Sequence, residues 1–214
     1  MSEELATPPR RTQAERTATA ARRMIRAAGK LIAQQGYSKT TLAQVGREAG
    51  YSGGLVSHHF GSKEGLLREL VHHVSARFSS DQLAEATEGE VGLEALCATA
   101  RAYLEELVLR EERMRTLYVL MGESLGPVSE IGDVIAALNE SFRRTTQRLI
   151  EEGIARGEIR ADIDPATEAV VCLALLRGVG MQWMTEPRCM DLEAVSRSVE
   201  IAIRRQLAAD KERV

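Results

Sequence analysis

The side chains best suited to chemistry in this 214-residue chain are four histidines and three cysteines. The histidines form two adjacent pairs, His58-His59 and His72-His73. Neighbours on a helix point about 100° apart, so neither pair chelates one ion. No Cys/His spacing of a zinc site is present either. Cys97, Cys172 and Cys189 are odd in number and far apart, a pattern of reduced thiols rather than a disulfide frame. The nucleophile elbow Gly-x-Ser-x-Gly is missing, as is a glycine loop followed by Lys-Ser/Thr. The 31 acidic residues read as solvated helix faces rather than general acids and bases. These residues predict a protein that is no enzyme, holds no metal and needs no cofactor.

What the charges can do is meet a polyanion. Residues 1–73 carry 11 Lys/Arg against 6 Asp/Glu, while residues 74–214 carry 17 against 25. A basic head on an acidic body directs the head towards nucleic acid, provided it also has reading geometry. No stretch approaches the ~20 apolar residues of a membrane span. The start, Met-Ser-Glu-Glu followed by basic residues, lacks the apolar centre of an export signal. The expectation is a cytoplasmic protein without membrane contact.

The elements that must position the basic residues are helices. Residues 1–15, with Pro8-Pro9 and Arg10-Arg11, show no apolar period and read as a flexible basic arm. From 16 to 35, Ala21, Met24, Ile25, Ala28, Leu31 and Ile32 form one helical stripe ended by Gly36. Thr41-Leu-Ala-Gln44 is a capping box opening a short helix that Gly50 stops. Ser52 opens a third helix through His59, and Ser62 a fourth carrying Leu66, Leu67, Leu70, Val71, Val74 and Phe78. Two short helices joined at a glycine turn are a helix-turn-helix signature. Further helices are expected near 91–110, 112–125, 128–156, 165–185 and 191–208, with Gly126-Pro127, Gly153, Gly157, Pro165 and Pro187 as breakers. No segment alternates with period two. The fold expected is all-α with about nine helices: an arm over 1–15, a three-helix DNA-binding domain over 16–61, and a larger helical domain over 62–214, entered through a long helix.

The run Thr40-Thr-Leu-Ala-Gln-Val-Gly-Arg-Glu-Ala-Gly50-Tyr-Ser-Gly-Gly-Leu-Val-Ser-His-His-Phe60-Gly-Ser-Lys-Glu-Gly-Leu-Leu67 closely resembles the DNA-binding domain of TetR-family repressors. The likeness spans roughly residues 16–70. It rests on the Thr-Thr start, the Ala-Gly turn, Ser-x-Gly at the recognition helix, the His pair before Phe, and Ser-Lys-Glu at the next helix. The ending Ser57-His58-His59-Phe60 looks most like the branch containing the choline-responsive regulator of betaine synthesis. Hydroxyls at helix starts suit phosphate, so Thr40, Thr41 and Ser52 are expected on the backbone side, helped by Arg10, Arg11, Arg16 and His59, and the resemblance makes Lys63 the family's phosphate-binding lysine. Tyr51, Leu55, Ser57, His58 and Gln44 are the candidates nearer the bases. The family's usual Tyr is replaced by Ser57. Gly53 and Gly54 leave the start of the recognition helix bare, so a longer side chain at Gly53 is expected to alter base preference.

In the C-terminal part Cys97, Tyr103, Tyr118, Met121, Phe142, Met181, Trp183 and Met184 are either plain core or the lining of an apolar effector pocket. The resemblance implies the pocket. Tyr103, Tyr118 and Trp183 also offer the makings of an aromatic cage for a quaternary ammonium. Ala169, Val170, Leu173, Ala174, Leu176, Val179 and Gly180, with Val195, Val199, Ile201, Ala202 and Leu207, give broad apolar faces on the last two helices. The resemblance makes these the homodimer interface, in which Leu173→Glu is expected to yield monomers. The whole implies a repressor that binds a palindromic double-stranded operator as a dimer and is released by a small apolar effector. The rival is a ligand-independent helix-turn-helix protein working through protein partners.

Overall fold

A computed structural model describes residues 12–75, 87, 89–127, 129–187 and 190–209. Arg10 and Arg11, Phe78 and Cys189 lie outside the described residues. Within them are nine α-helices: α1 Gln13–Gln35, α2 Leu42–Ala49, α3 Gly53–Phe60, α4 Lys63–Ser75, α5 Gly92–Leu109, α6 Glu111–Glu123, α7 Ser129–Ala155, α8 Pro165–Thr185 and α9 Leu192–Leu207. The sole strand-like feature among these residues is an isolated bridge between Ile159 and Ala208.

Local chemistry explains most of the boundaries. The Thr41 hydroxyl accepts from the Gln44 backbone while the Gln44 side chain returns to the Thr41 backbone, completing the expected capping box of α2. Gly50 ends α2 in the left-handed region, at φ 78°, where a side chain is strained. Asp164 caps α8 with Pro165 in the first turn. One boundary differs from the sequence expectation. α1 begins at Gln13, so residues 13–15 are helix rather than arm, because Thr12 and Glu15 form a second capping box.

Two apolar cores organise the chain. The first joins Met24, Ala28 and Ile32 of α1, Val45 of α2, Val56 of α3 and Leu67 and Leu70 of α4 to Leu117 and Leu120 of α6 and Ile131 and Leu138 of α7. The second joins Leu104 and Leu107 of α5, Met114 and Tyr118 of α6, Ile150 of α7, Leu176 and Val179 of α8, and Val199, Ile203 and Leu207 of α9. The helix-turn-helix core therefore does not close at residue 61. Helices α4, α6 and α7 wall it. α6 is amphipathic towards two cores at once, with Leu117 and Leu120 on one side and Met114 and Tyr118 on the other.

Candidate nucleic-acid interface and effector core

The α2–α3 crossing is closer than ordinary side chains permit. A Cβ on Gly46 would stand 2.8 Å from the Gly53 backbone nitrogen, and a Cβ on Gly53 would stand 2.9 Å from the Ala43 Cα. Gly53 thus faces α2, not the exposed side of α3, because two helix backbones meet where both lack side chains. This corrects its assignment as a base-facing position. Gly54 meets only the Ser52 hydroxyl, 3.9 Å away, and is otherwise open.

The exposed surface of α3 is formed by Gly54, Leu55, Ser57, His58 and His59, with Ser52 capping it through the Leu55 amide. Opposite runs the N-terminal part of α1. Between them is an open trough of about 710 Å³, lined by Arg16, Thr19, Arg23, Tyr51, Leu55, His58 and His59 among others. Arg23 was not singled out from the sequence. Its spacing of seven from Arg16, which puts both on one helix face, was the available signal. Lys39, exposed in the turn before α2, was missed as well.

Other candidates are positioned differently. Thr40 is only 3% exposed. Its hydroxyl donates to the Gly36 carbonyl at 2.7 Å and its amide to the Tyr37 carbonyl at 3.0 Å. Thr40 therefore fastens the α1–α2 turn instead of offering donors to phosphate. The Gln44 carbonyl oxygen accepts from the Thr41 amide and hydroxyl, which ties that side chain to the cap. Thr41 remains exposed. The Lys63 ammonium lies 4.1 Å over the Tyr37 ring and donates to the Ser38 carbonyl at 3.4 Å. Burial lowers its pKa, opposed by Glu123 and Glu130.

α6 touches this DNA-side assembly directly. The Glu123 carboxylate accepts from the Ser38 amide and hydroxyl, both at 3.1 Å. A Cβ on Gly36 would overlap that carboxylate. About two turns earlier on α6, the Thr116 hydroxyl donates to the Gly29 carbonyl of α1 at 3.0 Å. His73 lines a hollow of about 570 Å³ between α1, α4 and α6 with Arg26, Arg110 and Arg113. Its pKa is lowered by burial first and by Arg113 and Arg26 next.

The second core gathers most of the expected effector lining. Cys97, Tyr103, Tyr118 and Met184 are buried in it, and Met121, Phe142 and Trp183 pack against it. Met181 does not join them. It is 44% exposed on the outer face of α8, because it shares a helical stripe with Val170, Ala174 and Gly178 rather than with Val179 and Gly180. The Tyr103 and Tyr118 hydroxyls hydrogen-bond at 2.8 Å, and Tyr118 donates on to the Arg177 carbonyl at 3.3 Å. Gly180 makes room, since a Cβ there would overlap the Tyr118 hydroxyl. Burial pushes both phenols upward. It also pushes the Cys97 thiol up to about 12 and the Cys172 thiol up to about 11, so neither is a thiolate at neutral pH. Sequence reasoning missed Arg177 here. It is the single charge between Ala169 and Met184, and that isolation was a readable signal.

The apolar faces of α8 also divide. Ala169, Leu173, Leu176, Val179 and Gly180 turn inward, while Val170, Val171, Ala174, Leu175, Gly178 and Met181 turn out. On α9, Val199, Ile203 and Leu207 are buried and Ile201 and Ala202 exposed. Leu173, 8% exposed, belongs to the inner face. A charge there tests folding rather than assembly.

Among the described residues no group of three His, Cys, Asp or Glu side chains is placed to hold a metal ion. No described helix is long and apolar enough to cross a membrane. Several exposed acids are paired with arginines, as in Glu64–Arg68, Glu111–Arg115 and Glu193–Arg197 at one helical turn.

Residues 24–70 match the bacterial regulatory proteins of the tetR family, and residues 92–208 match the C-terminal domain of BetI-type transcriptional repressors. The HTH-type transcriptional regulator TtgR of Pseudomonas putida is 27% identical over 188 residues, 86% of this chain and 88% of that protein. BetI of Paraburkholderia phymatum is 51% identical over 43 residues, 20% of this chain and 22% of that one. In structure, a transcriptional regulator from Saccharomonospora viridis in complex with choline superposes with a TM-score of 0.73 at 24% identity, covering 89% of this chain and 98% of that chain. The proteins matched are transcriptional regulators, not enzymes.

Proposed function

Because this chain belongs to the TetR family of bacterial regulators, with a C-terminal domain of the BetI repressor type, we propose that it is a repressor. It binds a palindromic operator as a homodimer in the cytoplasm and leaves it when a small effector enters the core around Tyr103, Tyr118 and Phe142. The observation that carries this reading is the double allegiance of α6. Tyr118 reaches into the second core, while Thr116 and Glu123 of the same helix hold α1 and the turn before α2. An effector that moves Tyr118 moves a rigid helix whose far end grips the DNA-reading domain. The two states differ in how two recognition helices are spaced, and the effector binds them unequally.

On the DNA side α3 enters the major groove, presenting Gly54, Leu55, Ser57 and His58. Thr41, Ser52, Lys63, Arg16 and Arg23 meet the backbone. The homodimer forms through the outward stripe of α8 with Ile201 of α9.

Two measurements test this. Operator sequences selected from randomised DNA should show a two-fold repeat, and binding should weaken steeply with salt. Lys63→Ala should shallow the log–log salt slope by about one unit. Lys30→Ala should leave it unchanged, because the Lys30 ammonium is already held by Glu48 at 2.5 Å. Equal slopes for Lys63→Ala and the parent would take Lys63 off the DNA.

For the effector, Trp183 is the only tryptophan and packs against the second core. Apolar compounds that release the operator should change its emission. A compound that releases DNA with that emission unaltered, and with equal affinity for Trp183→Phe, binds elsewhere. Operator binding indifferent to every compound that fills the core would instead favour the ligand-independent reading.

A further inference from the structure

We propose that the effector of this core carries a carboxylate, received by Arg177 of α8, and that its body is apolar. The inference rests on the effector reading above and gives that site its chemistry. The guanidinium of Arg177 sits beside the second core. Its Nη1 donates to the side-chain Oδ1 of Asn139 on α7, and its centre lies 5.7 Å from the middle of the Phe142 ring. The Nε and Nη2 atoms are sealed from solvent and make no well-formed hydrogen bond among the described residues, where the neutral Tyr103 hydroxyl is the side chain that bears on the guanidinium as a hydrogen-bond partner. Those two nitrogens form one edge of the guanidinium fork. A carboxylate engages that edge with two parallel hydrogen bonds.

Among the described residues no carboxylate neutralises this charge. The groups acting on it are the phenols of Tyr103 and Tyr118 and the like-charged Arg143. Both phenols stay protonated, since burial raises them. Glu140 on the neighbouring helix is taken by Arg143 and Arg144. A buried arginine remains charged, and buried donors left unmade are rare in folded proteins because they forfeit hydration without replacement. Here the unmade donors form one bidentate edge, held by Asn139 and set beside an apolar wall. That is the arrangement a ligand acid completes.

The same geometry argues against the aromatic cage for a quaternary ammonium. Tyr103 and Tyr118 direct their hydroxyls at each other, and a cation placed beside them would meet an unscreened guanidinium.

The experiment compares matched probes on the full-length protein: octanoate and phenylacetate, their amides, and phenethyltrimethylammonium. Trp183 emission and operator release are followed for each. The parent should bind the acids at least tenfold more tightly than the amides and should not bind the ammonium compound better than either. Arg177→Met, which keeps the volume and removes the charge, should lose that preference, with amide affinity and operator affinity held. Arg177→Lys should recover only part of it, because an ammonium lacks the planar edge. Should Arg177→Met fold poorly, Asn139→Ala serves instead. It leaves the charge but loosens the fork and should weaken the acids alone. Parent protein that shows no acid-over-amide preference overturns the proposal, as does an Arg177→Met variant that retains it. A neutral or cationic compound that releases DNA through this core while the acids fail removes the carboxylate and leaves the effector site standing. Release with Trp183 emission unaltered and affinity unaffected by Arg177→Met moves the effector site itself.

Discussion

Gly53→Asn is expected to abolish specific operator binding, by roughly a hundredfold or more, and to lower the melting temperature by several degrees. The reason is steric. The new Cβ would start 2.9 Å from the Ala43 Cα, and the crossing is equally tight at Gly46, where a Cβ would stand 2.8 Å from the Gly53 backbone nitrogen. Backbone cannot swing aside as a flexible side chain does, so α3 must lift away from α2. Overpacking of this kind costs about 1–3 kcal/mol. In a chain of this size that is about 2–4 °C for each kcal/mol. Lifting the recognition helix also ruins the fixed pitch that groove reading requires. Gly54→Asn is the matched control. Its Cβ enters open space, and Asn is tolerated in a first helical turn. That variant should melt with the parent and change the preferred base at one symmetric pair of operator positions. Selection on randomised operators, alongside calorimetry, separates the two. A Gly53→Asn protein with parental stability and a new base preference would mean that Gly53, not Gly54, faces the DNA.

The second large effect concerns assembly. Val170→Glu should give monomers. Val170 is 51% exposed in the single chain and lies on the outward stripe with Ala174 and Met181. Two-fold symmetry would bury the new carboxylate twice in one interface. An uncompensated buried charge costs about 3–5 kcal/mol, so the dimer dissociation constant should rise by at least about a thousandfold. Operator affinity should fall with it, because two half-sites are then no longer read by one tethered pair. Helical content and melting should stay near the parent's, since Val170 is not part of the inner core. Leu173→Glu provides the contrast: it should unfold the second domain before it tells anything of the dimer. Sedimentation and circular dichroism on both variants decide the matter. A dimeric Val170→Glu protein would place the interface off this stripe.

The helices were legible from the sequence because their causes are local. Capping boxes at Thr41, the stop at Gly50, the Asp164-Pro165 start and the 3.6-residue stripe of α1 each involve residues a turn apart. The Thr12–Glu15 box had the same local signal but was hidden behind two prolines and two arginines that read as an arm. The helix-turn-helix followed from the motif between Thr40 and Leu67, and the surplus of cations in the first third pointed it at DNA. Tertiary structure alone decided the direction of what those helices carry. Thr40 and Thr41 are neighbours of one chemistry, yet the first is spent on Gly36 and only the second is exposed. Gly53 and Gly54 read as one bare step, yet the first is a helix crossing and the second an open position. α8 is apolar nearly all round, so its period could not tell the inner Leu173 from the outer Val170. Arg177 was visible as an isolated charge, but that two of its nitrogens make no well-formed hydrogen bond depends on what α5, α6 and α7 bring to it. Periodicity records which face of a helix shuns water. Which neighbour covers that face, and what it leaves unpaired, depends on contacts between residues far apart in the chain.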